Sequence, residues 1–145
     1  MDILIKKEDL LVLCQKILIS RGVPQKDANI VSDALTEANL RGQDSHGVIR
    51  LSKWITGIEA GAINPLCRVK KIRETCGTTL LDGDQGLGPV VGVEASNIVI
   101  CKAKEIGICL VSVRRASHLG MLAYYTEFMA KEGMIGICMT NTEPG

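Results

Sequence analysis

The chain has 145 residues, which is the length of one ordinary domain or of pieces of two. Apolar residues make up 46% and charged residues 23%, a composition that argues against disorder, while a net charge of +1 without a lysine and arginine cluster argues against a nucleic-acid partner. The N-terminus mixes acidic and basic residues, and no apolar run is long enough to span a bilayer, so we expect a cytoplasmic protein without membrane contact.

The first half of the chain has helical periodicity. Helix one is predicted from the spacing of Leu10, Leu13, Cys14, Ile17 and Leu18, and it ends at Arg21 and Gly22. Helix two is predicted to begin at Pro24, to bury Ala28, Val31, Leu35 and Ala38, and to end at Arg41 and Gly42. A third helix is expected to open with Asp44 or Ser45 as N-cap and to end at Gly61, with these residues turned inward: Val48, Leu51, Ile55 and Ile58.

The second half alternates strands and helices in the order β-α-β-α-β. Strands are predicted at "TTLLDGD", "ICLVSVR" and "MIGICMT", with helices ending at Gly107 and Gly133 between them. Strands that are apolar on both faces and are linked by helices indicate a parallel sheet covered by helices. The predicted fold class is therefore α/β, with a helical segment before the sheet.

Two other patterns, the cysteines and the glycines, favour structural roles. The cysteines lack CxxC spacing and mostly lie in apolar runs, so we expect buried, reduced thiols and no structural zinc: Cys14, Cys67, Cys76, Cys101, Cys109 and Cys138. In "DGDQGLGPVVG", Gly86 and Gly88 begin a dinucleotide fingerprint, but Val91 occupies its third glycine position. A structural turn before Pro89 is favoured over an ordinary Rossmann site.

The segment "DSHGVIR" carries the first candidate site. On a helix that begins near Ser45, His46 and Arg50 share a face, and Trp54 continues it one turn later. The helix macrodipole would keep His46 near neutral, and the Arg50 guanidinium would hold a carboxylate bidentately. This combination suits a 2-oxo or 2-hydroxy acid. The alternative is that Ser45 caps the helix, His46 is solvated and Arg50 forms a surface ion pair.

The second histidine and a polar strand end form a further candidate. His118 in "VRRASHLG" follows a predicted parallel strand and precedes a helix, which is where open α/β sheets place ligands. Thr140, Asn141 and Thr142 follow the last predicted strand and carry short hydrogen-bonding groups suited to ribose, phosphate or amide recognition, although a polar turn before Pro144 would look the same.

Three long segments, "RGQDSHGVIRLSKWITGIEAGAINP", "LDGDQGLGPVVG" and the stretch from "AKEIGICLVSVRRASHLG" to "MTNTEPG", resemble the malate/L-lactate dehydrogenase family. This family also includes ureidoglycolate and sulfolactate dehydrogenases and diketogulonate and cyclic-imine reductases. The resemblance covers essentially the whole chain. It implies a fold that is α/β but not Rossmann, dependence on NAD or NADP, and a homodimer.

The resemblance also implies site residues. His46 matches a family histidine that is proposed to exchange the substrate proton, Ser45 and Arg50 match its substrate-binding neighbours, and His118 matches a second family histidine that is a proton acceptor in some members. Thr142 matches a dinucleotide contact, and Thr140 and Asn141 adjoin it. Two departures concern substrate preference: Trp54 replaces a frequent tyrosine, and "RRASH" replaces a commoner Asn-Ser-Asn-His.

Family members are more than twice as long as this chain, so the resemblance implies an N-terminal portion. Residues 1–75 would form a helical domain with the Ser-His-Gly motif, and residues 76–145 would begin the NAD(P)-binding domain. The implied reaction is reversible hydride transfer between a nicotinamide and a small 2-hydroxy or 2-oxo acid. Two alternatives stay open: a truncated, non-catalytic chain that only dimerises or binds ligand weakly, and a plain interaction module with surface histidines.

Overall fold

A computed structural model describes residues 4–141 of the chain, and its α/β class agrees with the sequence prediction. The helices are α1 (Lys7–Ile19), α2 (Gln25–Leu40), α3 (Ile49–Glu59), α4 (Gly88–Ile106) and α5 (Ala123–Lys131), with a short 3₁₀ turn at Asp44–His46. The strands are β1 (Lys70–Glu74), β2 (Thr78–Gly86) and β3 (Leu110–Ala116). None of the helices in this part of the chain is both long and apolar enough to cross a membrane.

The first two helices form as predicted and pack against each other. Cys14 and Leu18 of α1 are fully buried. Gly22 follows α1 with φ +82°, a left-handed conformation that glycine adopts without steric cost. Pro24 is the residue before α2 rather than its first residue, and the four predicted core positions of α2 are all buried. Leu13 is 49% exposed, so it lies off the buried side of α1.

The third helix begins later than predicted. Asp44–His46 form a separate 3₁₀ turn, Gly47 is extended, and α3 starts at Ile49. Neither Asp44 nor Ser45 is therefore its N-cap, and His46 and Arg50 do not share a helical face. Leu51 is buried as predicted, and Val48, Ile55 and Ile58 pack against the core.

The side chain of Asn39 explains the interruption before α3. Its Oδ1 accepts a hydrogen bond from Val48 N at 2.8 Å, and its Nδ2 donates to Asp44 Oδ1 at 2.5 Å. The Gly47 backbone lies so close to the Asn39 amide that a Cβ there would collide with it. Asn39 thus folds the segment back onto the end of α2.

The three strands form one sheet in the order β1-β2-β3. The β2–β3 pair is parallel and is connected through α4, as predicted, whereas β1 is antiparallel to β2. β1 was missed because "KKIRE" is exposed throughout and has no apolar alternation. The expectation that strands are apolar on both faces is wrong for β3, most of whose residues are exposed.

The predicted last strand does not form. Residues 134–141 follow α5 without strand pairing, although Gly136 packs against Met129 of α5 and Cys138 packs on the neighbouring core. Ile135, Ile137 and Met139 are exposed between them. The alternation is that of a strand, but a strand is formed only when a neighbour satisfies its backbone groups.

The core has two clusters, and α2 contributes to both. The first joins α1, α2 and α3, with Trp54 only 3% exposed, so Trp54 is a core residue and not part of the His46 surface. The second joins Ala34 and Ala38 of α2 to Tyr124 and Tyr125 of α5.

The six thiols are unpaired, as expected, but their burial differs from the prediction. Cys14 alone among them is fully buried, whereas Cys76 and Cys101 are exposed and the other three are half-buried.

Candidate active site

The two histidines of the chain lie together on the surface. The ring centroids of His46 and His118 are 5.5 Å apart, and their planes are inclined by 40°. His46 ends the 3₁₀ turn after α2, and His118 lies in the loop between β3 and α5. Two groups that exchange or donate protons are therefore within reach of one small ligand.

A backbone amide fixes the protonation pattern of His118. Gly120 N donates a hydrogen bond to His118 Nδ1 at 2.9 Å, so the neutral ring carries its proton on Nε2. Desolvation lowers the pKa of His118 below its usual 6.5, and the positive charges of Arg50, His46 and Lys53 lower it further. At neutral pH the ring is an uncharged imidazole whose Nε2–H is a hydrogen-bond donor.

His46 has a different environment. The ring is half-buried, and Nδ1 lies 3.0 Å from Ser45 Oγ. Because His46 sits in a separate turn before α3, the macrodipole argument in its predicted form does not apply. If the Nδ1–H of His46 donates to the Ser45 hydroxyl oxygen, its Nε2 is the atom that exchanges a proton with a ligand.

Arg50 is tied to the same turn. Its Nε donates to the carbonyl oxygen of Ser45 at 2.6 Å, which holds the guanidinium beside the 3₁₀ turn. Lys53 follows three residues later on α3, and residues at that spacing are neighbours on a helix surface. Within residues 4–141 neither Arg50 nor Lys53 forms an ion pair, so the surface ion pair considered for Arg50 is not formed there.

The N-terminus of α4 is covered by the loop that carries His118. Gly88 N donates to Ser117 Oγ at 2.8 Å, and Ser117 N donates to Gly86 O at 3.0 Å. A Cβ on Gly88 would collide with the carbonyl oxygen of His118. The close approach at this glycine is therefore made by the chain's own loop, which agrees with the structural role predicted from the incomplete fingerprint.

Strained backbone adjoins this loop. The non-glycine residues Asp84, Gln85 and Arg115 have φ of 54°, 55° and 55°, where the register of β2 and β3 is interrupted by a bulge. Such conformations cost about 1–3 kcal/mol each and persist where the surrounding structure holds them. The carboxylate of Asp82 holds this backbone in place. Its Oδ1 accepts a hydrogen bond from Asp84 N at 2.9 Å, and its Oδ2 accepts one from Arg115 Nη1 at 3.3 Å.

Asp82 also contacts Arg114, the first arginine of "VRRASH". Arg114 Nε donates to Asp82 Oδ2 at 3.1 Å. The bond from the Asp84 amide, with the two arginines, lowers the pKa of Asp82 although desolvation opposes the shift. Four residues that support the site were not predicted from the sequence: Asn39, Asp82, Arg115 and Ser117. The available signals were weak: an aspartate in a strand, two arginines at a strand end, and a serine beside a histidine.

The predicted cofactor-binding residues come after α5 in the chain. Thr140 and Asn141 are exposed in the segment after α5, with Thr140 Oγ1 3.4 Å from Asn141 O, and Thr142 lies outside the described residues. The hydroxyl of Thr140 and the amide of Asn141 can both donate and accept hydrogen bonds. Among residues 4–141 there is no group of three histidine, cysteine or acidic side chains that could hold a metal ion.

Comparison with known proteins identifies relatives of the whole chain. It is 47% identical to a malate dehydrogenase of Pyrococcus abyssi over 140 residues, and 42% identical to an L-sulfolactate dehydrogenase of Methanocaldococcus jannaschii over 141 residues. The fold is similar to the solved malate dehydrogenase of Pyrococcus horikoshii, with a TM-score of 0.89 and 42% identity over 90% of this chain.

The matches cover nearly all of this chain but less than half of each relative. They include 97% of this chain, but only 39% of the Pyrococcus abyssi protein and 41% of the Methanocaldococcus jannaschii protein. The solved Pyrococcus horikoshii chain is covered over 38% of its length. A family model described as malate/L-lactate dehydrogenase matches residues 5–145, and the chain therefore belongs to the malate/L-lactate dehydrogenase family.

Proposed function

We propose that the protein containing this chain is an NAD(P)-dependent oxidoreductase that acts on a small 2-hydroxy or 2-oxo acid. The observation that carries the proposal is the pair of His46 and His118, 5.5 Å apart, beside Arg50. An acid whose reacting carbon adjoins its carboxylate needs both kinds of group, a cation for the carboxylate and a proton-exchanging group for the neighbouring oxygen. The names of the relatives, malate and sulfolactate dehydrogenases, support the same substrate class.

The two histidines take different parts. Because Nδ1 of His118 already accepts the Gly120 amide, the neutral ring has no free lone pair and acts through Nε2–H. It donates a hydrogen bond to the substrate oxygen and stabilises negative charge that develops there during reduction. His46 exchanges the proton: it receives the hydroxyl proton in oxidation and returns it in reduction.

Arg50 holds the substrate carboxylate. Its Nε is occupied by the Ser45 carbonyl, and the two terminal nitrogens are the groups that remain for a bidentate pair. Lys53 adds a second positive charge near His118. Ser45 contacts both His46 and Arg50. Its hydroxyl lies beside His46 Nδ1, and its carbonyl oxygen accepts a hydrogen bond from Arg50 Nε.

A bound NAD or NADP would accept the hydride in oxidation and donate it in reduction. Thr140, Asn141 and Thr142 are proposed to contact it, and their hydroxyl and amide groups can bond ribose, phosphate or carboxamide oxygens. We also propose a homodimer in the cytoplasm, and a division into a helical domain over residues 1–75 and the beginning of the cofactor-binding domain over residues 76–145. These assignments rest on the family.

A second candidate is a non-catalytic chain that only dimerises or binds ligand weakly. Exposed apolar side chains on β3, just before it and on the segment after α5 favour this candidate: Ile108, Leu110, Val113, Ile135, Ile137 and Met139. Such a surface is typical of an interface. This candidate predicts no turnover and saturable self-association.

The test is oxidation of malate, sulfolactate and lactate with NAD and NADP by the protein expressed from its complete reading frame. His46→Ala should lower turnover by about two orders of magnitude or more, because it removes the proton-exchanging group. His118→Gln retains an N–H donor and should be less damaging than His118→Ala. Gln43→Ala, an exposed neighbour, is the matched control. Absence of turnover with every acid, or full activity of His46→Ala, would overturn the proposal.

A further inference from the structure

We propose that Ser117 is a positioning residue that places the His118 ring against His46 and Arg50 by fastening the His118 loop to the first turn of α4. The inference rests on the function proposed above, because it assigns Ser117 a part in the same site. Ser117 acts through its neighbour and is not itself expected to touch the substrate.

Ser117 is bonded on both of its sides. Its hydroxyl oxygen accepts from Gly88 N at 2.8 Å, and its own N–H donates to Gly86 O at 3.0 Å. The first bond occupies the first amide of α4, and the second continues the parallel pairing of Gly86 with Ala116. The loop is thus attached to both ends of the "GLG" segment that joins β2 to α4.

Gly88 permits this attachment. The carbonyl of His118 lies against its Cα, where a Cβ would collide with it, and the carbonyl of Ser117 lies close beside it. The backbone of the loop therefore rests directly on the helix N-terminus. A side chain on residue 88 would push the loop away from α4 and would shift His118.

The backbone two residues before Ser117 is also held in place, by side-chain contacts of Arg115. Arg115 is left-handed, with φ 55°, and its guanidinium bonds Asp82 Oδ2 at 3.3 Å and lies 3.9 Å from Asp84 Oδ1. The Asp82 side chain is only 7% exposed, so its end of the contact is rigidly packed. Asp82 on strand β2 thus holds Arg115, two residues before Ser117.

His118 is consequently held in place by residues on both sides of it in the chain. Ser117 fixes its backbone from one side, and the Gly120 amide fixes its Nδ1 from the other at 2.9 Å. Desolvation lowers the pKa of the ring, and the nearby charge of Arg50 lowers it further, with smaller contributions from His46 and Lys53. Without the Ser117 hydroxyl the loop would relax, and the ring would gain solvent and move away from those charges.

The experiment compares the imidazole ¹⁵N signals of the wild-type protein and of Ser117→Ala, expressed from the complete reading frame with ¹⁵N-labelled histidine. His118→Gln and His46→Gln variants assign the two signals. In Ser117→Ala we expect the pKa of His118 to rise toward 6.5 and its Nε2–H tautomer to become less dominant. Ser117→Thr keeps the hydroxyl and should restore both values.

Two further variants separate positioning from general loosening. Ser112→Ala changes an exposed serine of β3 and should leave the His118 signal unchanged. Ser117→Cys keeps the side-chain size with a weaker acceptor and should give an intermediate shift, and it replaces the alanine variant if that one does not fold. An unchanged His118 signal in Ser117→Ala and Ser117→Cys, or equal shifts of His118 and His46, would overturn the proposal. Because the readout is spectroscopic, absence of turnover would contradict the proposed function and leave this test intact.

Discussion

His46 and His118 face each other at 5.5 Å although one follows α2 and the other follows β3. The pair is asymmetric, because a backbone amide occupies Nδ1 of His118 whereas a side-chain hydroxyl lies beside Nδ1 of His46. An amide can only donate, so it favours one neutral tautomer of His118. A hydroxyl can donate or accept, so Ser45 can hydrogen-bond to His46 Nδ1 whether or not that nitrogen carries a proton.

The first prediction concerns the influence of His46 on its neighbour. His46→Gln should raise the pKa of His118, because the positive charge of His46 is one of the causes that lower it. Lys53→Met should act in the same direction. Imidazole ¹⁵N titration measures the change, and Lys16→Met, an exposed substitution on α1, is the control. A fall in the pKa of His118 in either variant would contradict this arrangement of charges.

The second prediction is a pH dependence of stability. The pKa of His118 is lower in the folded chain than its usual 6.5, so the unfolded chain binds this proton first as the pH falls. The free energy of unfolding should therefore decrease from about pH 6.5 down to the folded-state pKa, and level off below it as far as this group is concerned. Urea denaturation at a series of pH values measures the slope. In His118→Gln the decrease over this window should be smaller, and an identical slope would exclude the assignment.

The third prediction concerns carboxylate binding by Arg50. Arg50→Lys keeps the charge but loses the fork, and should cost about 1.5–3 kcal/mol in kcat/KM with a 2-hydroxy acid. The melting temperature should change little, because Arg50 lies outside the core clusters. Arg21→Lys, whose arginine bonds Glu59 away from the site, is the matched control. Equal kinetics of Arg50→Lys and wild type would remove Arg50 from the site, as would equal reactivity of an amide analogue of the substrate.

The fourth prediction concerns the turn that carries His46. Asn39→Ala removes the bonds to Val48 N and Asp44 Oδ1 and should lower the free energy of unfolding by about 1–3 kcal/mol. Asn39→Asp keeps the acceptor for Val48 N but faces the Asp44 carboxylate, so it should recover only part of the loss. Asn97→Ala, an exposed asparagine on α4, should be close to neutral. Denaturant unfolding monitored by circular dichroism gives these values. Wild-type stability of Asn39→Ala would show that the turn is held in some other way.

Local pattern alone determined much of this molecule. The apolar spacing of α1, α2 and α4 and the glycines after α1 and α4 are short-range properties, because a helix bonds to itself and ends where a left-handed residue is tolerated. The α/β class and the parallel β2–β3 pair also followed, since an apolar strand, a helix and a second strand have few other ways to pack. The motifs around His46 and His118 were sufficient to predict the family.

Contacts between distant residues decided the rest. Asn39 interrupts the helix that "DSHGVIR" predicts, Trp54 turns into the core, and β1 exists because β2 offers it a partner despite its polar sequence. Residues 134–141 have the alternation of a strand and remain unpaired within the described chain. The loop that carries His118 is bonded through Ser117 to Gly88, a residue far from it in sequence. A periodic pattern indicates which face of a helix or strand is buried. It does not indicate which distant residue packs against that face or accepts its hydrogen bonds, because that depends on the tertiary structure.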